Sequence, residues 1–290
     1  MEKVLETILI NYSEEIIKQV KKEAIMGRGR EILGGVINRP EDTEIGIDKL
    51  GEKIIEKIIK KYNLNTTIFS EPEDGTIKIG DDVSDFYISI DPFDGSLFYL
   101  RGFESNWFSA LSFYDKNKIP LLTSIVDILN EKYYITKRDG NYLVSVNTGE
   151  ERKIFPSTKE HIDDSVVLAS YIMSSQYSKK FFNIFGDLIL NLHPKALLYP
   201  NGGSYIYAYL ASGLVDAYIM FDEPRSEIDP GFPIAKRIGC EIVSINENGS
   251  FEDYNFLPGH QHDKVDLLIA TSTSKLRDIL IKHYVNKIKR

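Results

Sequence analysis

The stretch Ile88-Ser89-Ile90-Asp91-Pro92-Phe93-Asp94-Gly95-Ser96-Leu97 decides how the rest of the chain is read. The run from Phe86 to Ile90 is apolar and strand-like, and it leads directly into two aspartates three positions apart. Pro92 and Gly95 fix a turn, and Ser96 stands where a helix would begin. Two carboxylates held so closely at the end of a buried strand repel each other unless a cation lies between them. Their hard oxygen donors suit magnesium or manganese rather than zinc. If a helix starts at Gly95-Ser96, its first N–H groups make a seat for a phosphate oxygen. The same residues admit a second reading as an ordinary turn, because Asp, Pro and Gly dominate turns. Upstream by 20 residues, Thr67-Ile68-Phe69 also ends on an acid, in Ser70-Glu71, which taken alone reads first as a solvated edge charge.

Outward from this segment, the periodicity predicts mixed helices and strands. Val4, Leu5, Ile8, Leu9, Tyr12, Ile16 and Val20 recur at helical spacing between acids and lysines. After Gly27-Arg28-Gly29-Arg30 breaks that helix, Leu50, Ile54, Ile55, Ile58 and Ile59 predict a second, with Asp48 at its start and lysines in its last turn. Strands are expected at Thr67–Phe69, Phe86–Ile90, Ser109–Tyr114, Leu121–Ile128 and Lys132–Thr136. The second half predicts strands near Val166–Ala169, Asp216–Met220 and Leu267–Ala270. Helices are expected near Ser178–Leu190, Gly203–Ser212 and Pro230–Ile238 and from Lys275 onward. A layered α/β architecture follows. The change of rhythm at Asn147-Thr148-Gly149-Glu150 predicts two halves, 1–150 and 151–290.

The chain of 290 residues is 42% hydrophobic, enough for one large core or two that share an interface. With 35 Lys and Arg against 43 acids its net charge is −8, which offers no broad field for nucleic acid. A small anionic substrate remains compatible, because bound divalent ions reverse the sign of the field within one cleft. Cys240 is the sole cysteine, so no internal disulfide forms and no Cys-rich zinc or iron–sulfur site is available. The expected location is the cytoplasm. The run from Met1 to Met26 mixes Glu and Lys among its apolar residues, unlike a signal peptide, and no long uncharged apolar window suggests a membrane span.

Asp91-Pro92-Phe93-Asp94-Gly95-Ser96 resembles the D-P-x-D-G-[T/S] signature of the inositol monophosphatase and fructose-1,6-bisphosphatase superfamily. Ser70-Glu71 looks like the acidic motif that precedes it, at the family's interval of 20. Asp48-Lys49-Leu50-Gly51-Glu52 is similar to the helix that brings in another Asp. Glu227-Ile228-Asp229-Pro230-Gly231, followed by Gly239, is similar to the W-D-x-A-A-G motif. The resemblance spans about the whole chain and is closest in character to archaeal members that act on both fructose-1,6-bisphosphate and inositol phosphates.

The resemblance implies a layered α-β-α-β-α sugar-phosphatase fold and a magnesium-dependent phosphoric monoester hydrolase acting on a small phosphorylated sugar or polyol. It also implies a homodimer. Two or three magnesium ions are implied. Glu71, Asp91 and the carbonyl of Phe93 would hold one, and Asp91, Asp94 and Glu227 a second. Ser96 backed by Asp48 would orient the attacking water, and the N–H groups of Gly95 and Ser96 would hold the phosphate. Arg225 is a candidate for a second phosphate, and Arg101 a weaker one.

Four departures bear on these roles. Glu227 stands where Asp is usual, leaving Asp229 as the alternative ligand. Ser96 replaces the commoner Thr, and Pro72 replaces a second acid that serves the third ion. Met220 stands where the animal enzymes carry a Glu that meets inositol hydroxyls. Two rivals follow, a 3'-phosphoadenosine-5'-phosphate phosphatase and a catalytically silent ligand-binding relative. His260-Gln261-His262 reads as a polar loop rather than a metal pair, Gly202-Gly203 as a turn, and Gly27 to Arg30 as a turn or, by resemblance, a flap over the site.

Overall fold

The computed structural model describes residues 1–36, 39–72, 75–81, 83–190, 196–246 and 249–289, the side chains of 36 and 39–42 excepted. In chain order the elements are α1 (Glu2–Ile25), β1 (Ile32–Val36), β2 (Arg39–Ile45), α2 (Gly46–Lys61), β3 (Thr66–Phe69), β4 (Thr76–Ile79), β5 (Phe86–Asp94) and α3 (Ser96–Leu100). Next come β6 (Phe108–Asp115), β7 (Pro120–Asp127), β8 (Lys132–Lys137), β9 (Gly140–Ser145), β10 (Glu151–Lys153), β11 (Val167–Ala169), α4 (Ser175–Leu190) and β12 (Leu197–Tyr199). The chain closes with α5 (Ile206–Ala211), β13 (Ala217–Pro224), α6 (Arg225–Ile228), α7 (Phe232–Lys236), β14 (Glu241–Ile245), β15 (Phe251–Asp253), β16 (Lys264–Thr271) and α8 (Ser274–Ile288).

Alternating side chains sort these elements into five layers. The apolar stripe of α1, including Leu5, Ile8, Tyr12 and Ile16, joins Ile55 and Ile59 of α2 over one face of an eight-stranded sheet ordered β10-β9-β8-β7-β6-β5-β3-β4. Leu111 and Phe113 of β6 point into that layer, while Phe108, Ala110 and Tyr114 point the other way. There they meet α5 and α7, which lie between the first sheet and a six-stranded one ordered β12-β11-β13-β16-β14-β15. In β13 the alternation repeats: Tyr218 and Met220 face this middle layer, and Ala217, Ile219 and Phe221 face α4 and α8. The architecture is the expected α-β-α-β-α stack.

The decisive segment departs from the expected turn. It stays in β5 through Asp94, and Asp91 pairs with Ala110 while Asp94 pairs with Phe108, so three steps on β5 match two on β6. A bulge of this kind adds one residue to one strand. In a regular strand, residues three apart face opposite sides. The extra residue turns Asp91 and Asp94 to the same side, and Pro92 sits where no ladder N–H is needed. Pro92 is also pressed by α2: a Cβ on Gly51 would lie 2.7 Å from the Pro92 Cβ.

Candidate active site

β3 and β5 run parallel with Phe69 opposite Ser89, an offset of 20 that Glu71 and Asp91 share. Glu71, just past the end of β3, therefore lies beside Asp91 on the neighbouring strand, which explains the interval read in the sequence. Asp91 is buried, its backbone carbonyl accepting from Ser109 Oγ at 3.1 Å, and Ser109 is tied to Tyr12 of α1 at 2.7 Å. The far side of the site comes from α6, whose Glu227 approaches across the middle layer. Carboxylate oxygens of Asp91, Asp94 and Glu227 all lie within 4.8 Å of one another. Glu71 lines the same cleft but is not one of the three.

This cluster strongly favours a cation. Burial first, and then the charges of Asp94 and Glu227, push the Asp91 carboxyl well above the usual range, and a hydrogen bond from Ser204 opposes them. Asp91 Oδ2 is buried without a hydrogen-bond partner. An orphaned carboxylate oxygen beside two further acids is the donor set of a hard divalent ion, so these residues fit magnesium.

Around the cluster the backbone is tightly constrained. Gly95 adopts φ +116, and a Cβ there would fall 2.0 Å from the Asn106 carbonyl oxygen. Ser96 Oγ lies 2.9 Å from the Phe93 carbonyl and 3.3 Å from Asp48 Oδ1, its one proton facing two acceptors. The other oxygen of Asp48 accepts the Ile45 N–H at 2.8 Å, fixing the carboxylate at the start of α2. Asp48, Ser96 and Phe93 are thus brought together as expected, with Phe93 wedged against Tyr99 and Trp107.

Two expectations meet a different geometry. The Arg225 guanidinium lies over the Tyr254 ring, 4.9 Å from its centroid, and donates to the Asn255 carbonyl at 2.8 Å. It is not among the residues that line the cleft. Asp229, the alternative to Glu227, is turned into the core, where it accepts from Tyr254 Oη at 2.6 Å. Its burial raises its pKa to about 7, the Tyr254 hydrogen bond and Arg225 pulling the other way. Of the two acids, only Glu227 reaches the cluster.

Sequence reading missed the opposite wall. Gly202-Gly203, read as a turn, packs directly on the site: Gly203 adopts φ +118, and a Cβ on it would lie 2.5 Å from Asp94 Oδ2. The Tyr205 N–H donates to that same oxygen at 3.3 Å. Asn201, Tyr171, Tyr177 and Glu223 complete a cleft that opens to solvent. The Gly27 to Arg30 loop lies against α3, with the Arg28 carbonyl accepting from Tyr99 Oη at 2.6 Å. His260 is paired with Asp263 at 2.8 Å. Among the described residues no helix is long and apolar enough to cross a membrane.

The chain is similar in structure to the extragenic suppressor protein suhB from Bartonella henselae, with a TM-score of 0.73 and 14% identity over 97% of this chain and 98% of that one. The MJ0109 gene product, an inositol monophosphatase–fructose 1,6-bisphosphatase, aligns with a TM-score of 0.69 and 24% identity over 94% and 98% of the two chains. The inositol monophosphatase from Anabaena (Nostoc) sp. PCC 7120 gives 0.67 and 16% over 97% and 96%. At these identities the likeness speaks for the fold. A comparison with curated protein sequences returns no match. The model of the inositol monophosphatase family matches residues 2–288. Fold, motif order and this nearly full-length match agree: the chain belongs to the inositol monophosphatase family.

Proposed function

We propose that the chain is a magnesium-dependent phosphatase that hydrolyses a phosphomonoester of a small sugar or polyol. The observation that carries this reading is the convergence of Asp91, Asp94 and Glu227 around a buried, unpartnered carboxylate oxygen. Asp91, Asp94 and Glu227 would hold one magnesium, and Glu71, Asp91 and the Phe93 carbonyl another. Magnesium bound there would supply charge neutralisation for the phosphoryl oxygens and a water acidic enough to ionise near neutral pH.

The remaining work falls to the chain itself. Asp48, fixed through Ile45, orients Ser96, whose hydroxyl is placed to align an attacking water and pass its proton toward the carboxylate. The N–H groups of Gly95 and Ser96 would steady the phosphate, since phosphoryl transfer needs mainly alignment and charge neutralisation. One structural relative bears both inositol monophosphatase and fructose 1,6-bisphosphatase in its name, which supports either sugar class as substrate. Family likeness supports a homodimer and the lone Cys240 supports a cytoplasmic location. The two sheets support two halves, with the division falling after β10 (Glu151–Lys153), which pairs with β9 in the first sheet, rather than at 150.

Phosphate release from inositol-1-phosphate, fructose-1,6-bisphosphate and 3'-phosphoadenosine-5'-phosphate, each with magnesium and with chelator, tests the reading. Magnesium-dependent release from either of the first two is expected. Preferential cleavage of the nucleotide would replace the substrate class, and silence on all three would point to an inactive relative.

A further inference from the structure

Ser109 is the residue of β6 that faces the bulge of β5. Asp91 pairs with Ala110 and Asp94 with Phe108, so Ser109 stands opposite Pro92 and Phe93 together. Pro92 has no N–H to offer, and a bulge disrupts the ladder around it. The Ser109 side chain reaches across instead, its Oγ donating to the Asp91 carbonyl at 3.1 Å.

Alternation along β6 turns Ser109 to the same side as Leu111 and Phe113, toward α1 and away from the cleft. There its Oγ lies 2.7 Å from Tyr12 Oη. The direction of both bonds is fixed by chemistry. A carbonyl only accepts, so the single Ser109 proton goes to Asp91, and Tyr12 must donate to Ser109. Burial pushes the Tyr12 pKa up, which keeps that proton in place. A chain of two hydrogen bonds thus runs from the outer helix through the sheet to the backbone of the central acid.

Tyr12 and Ser109 are both fully buried, in a layer built from side chains such as Ile16, Ile90 and Leu111. Hydroxyls are tolerated in such a place only when paired. The next residue of α1 makes a bridge of the same kind: Ser13 Oγ and Ser124 Oγ of β7 lie 2.7 Å apart, both fully buried. Ser13 gives its own proton to the Leu9 carbonyl at 2.8 Å, so that bridge closes within α1 and reaches no residue of the site. The two bridges match in burial and length and differ in whether they touch the bulge.

The bulge is what turns Asp91 and Asp94 to one side, where their carboxylates and that of Glu227 come within 4.8 Å of one another. Resting on the metal-site reading above, we propose that Ser109 and Tyr12 are positioning residues for the metal ions. Their hydroxyls hold the bulge in register, and through it the aim of both aspartates. Groups that orient a metal ligand from behind commonly account for about 10-fold to 100-fold of the affinity.

The test is the dissociation constant for Mn2+, a hard ion that takes the same oxygen donors as magnesium, read from the free-ion electron paramagnetic resonance signal. Wild type, Ser109→Ala, Tyr12→Phe and Ser124→Ala are compared. Without metal, Ser109→Ala and Ser124→Ala should both melt below the wild type, since each loses a buried pair. The dissociation constant should rise about tenfold in Ser109→Ala and about threefold in Tyr12→Phe, and stay at the wild-type value in Ser124→Ala. An unchanged constant in Ser109→Ala or in Tyr12→Phe, or an equal rise in Ser124→Ala, overturns the inference. If the wild type binds no manganese, the metal-site reading fails instead, and crystal structures of wild type and Ser109→Ala then decide the role of Ser109. Loss of the Asp91–Ala110 and Asp94–Phe108 pairings in the variant is expected, and the same pairings with both carboxylates in place would contradict it.

Discussion

Asp91 and Asp229 are both buried aspartates whose carboxyls are pushed upward by burial, and they meet opposite surroundings. Asp91 sits at the bulge of β5 with Asp94 and Glu227 beside it and one oxygen without a partner. Asp229, just past α6, is received by Tyr254, while Arg225 lies over that same tyrosine ring. Burial and a raised pKa are thus shared by a site and by a piece of core. What separates them is like charge gathered on an open cleft against a hydrogen-bonded acid sealed in packing.

The largest effect should come from neutralising each acid in turn. Asp91→Asn should lower magnesium-dependent turnover by about 1,000-fold or more, since it removes the ligand shared by both ions. Asp229→Asn keeps an acceptor for Tyr254 and should stay within about tenfold of wild type. Equal losses in steady-state assays would erase the distinction. Next in size is Gly203→Ala, whose Cβ at 2.5 Å from Asp94 Oδ2 must displace that carboxylate. Because small misplacements at a reacting centre are costly, kcat should fall about 100-fold in a protein that remains folded by circular dichroism. Wild-type kcat in that variant would show that Asp94 tolerates the shift.

The smallest effect concerns stability and pH. Asp229 binds its proton with a pKa of about 7 when folded, against 3.8 for the free group. The folded state therefore holds more protons across this window, so Asp229 contributes stability that is full below the unfolded value and lost as pH rises through about 7. Each pH unit in the window costs about 1.4 kcal/mol. Asp229→Asn has no such loss, and its Tm relative to wild type should climb between pH 5 and pH 8. A constant difference across that range would mean that Asp229 is ionised in the folded protein throughout.

The β5 segment was legible because its chemistry is local: an apolar run, two acids, a proline and a glycine lie within ten residues. The interval of 20 to Glu71 was also legible, since a parallel pair preserves one offset along its length. The bulge was not, because it exists only in the register with β6, and a turn is what the same residues suggest alone. Gly202-Gly203 was read as a turn because the group that forbids a side chain there, the Asp94 carboxylate, is distant in sequence. Glu223 and Arg225 show the same limit in opposite directions. Glu223 enters the cleft after a left-handed residue that no periodicity reveals, and Arg225, near Glu227 in sequence, leaves it for Tyr254.

The central claim is that Asp91, Asp94 and Glu227 form a metal site, and thermal unfolding of wild type and Asp91→Asn across a magnesium titration tests it most directly. Without metal, Asp91→Asn should melt at or above the wild-type temperature, because carboxylate repulsion is relieved. As magnesium is added, the wild-type Tm should rise with concentration, as ligand binding to the folded state requires, while that of Asp91→Asn stays nearly flat. Equal magnesium-dependent rises in the two proteins, or none in the wild type, would contradict the account.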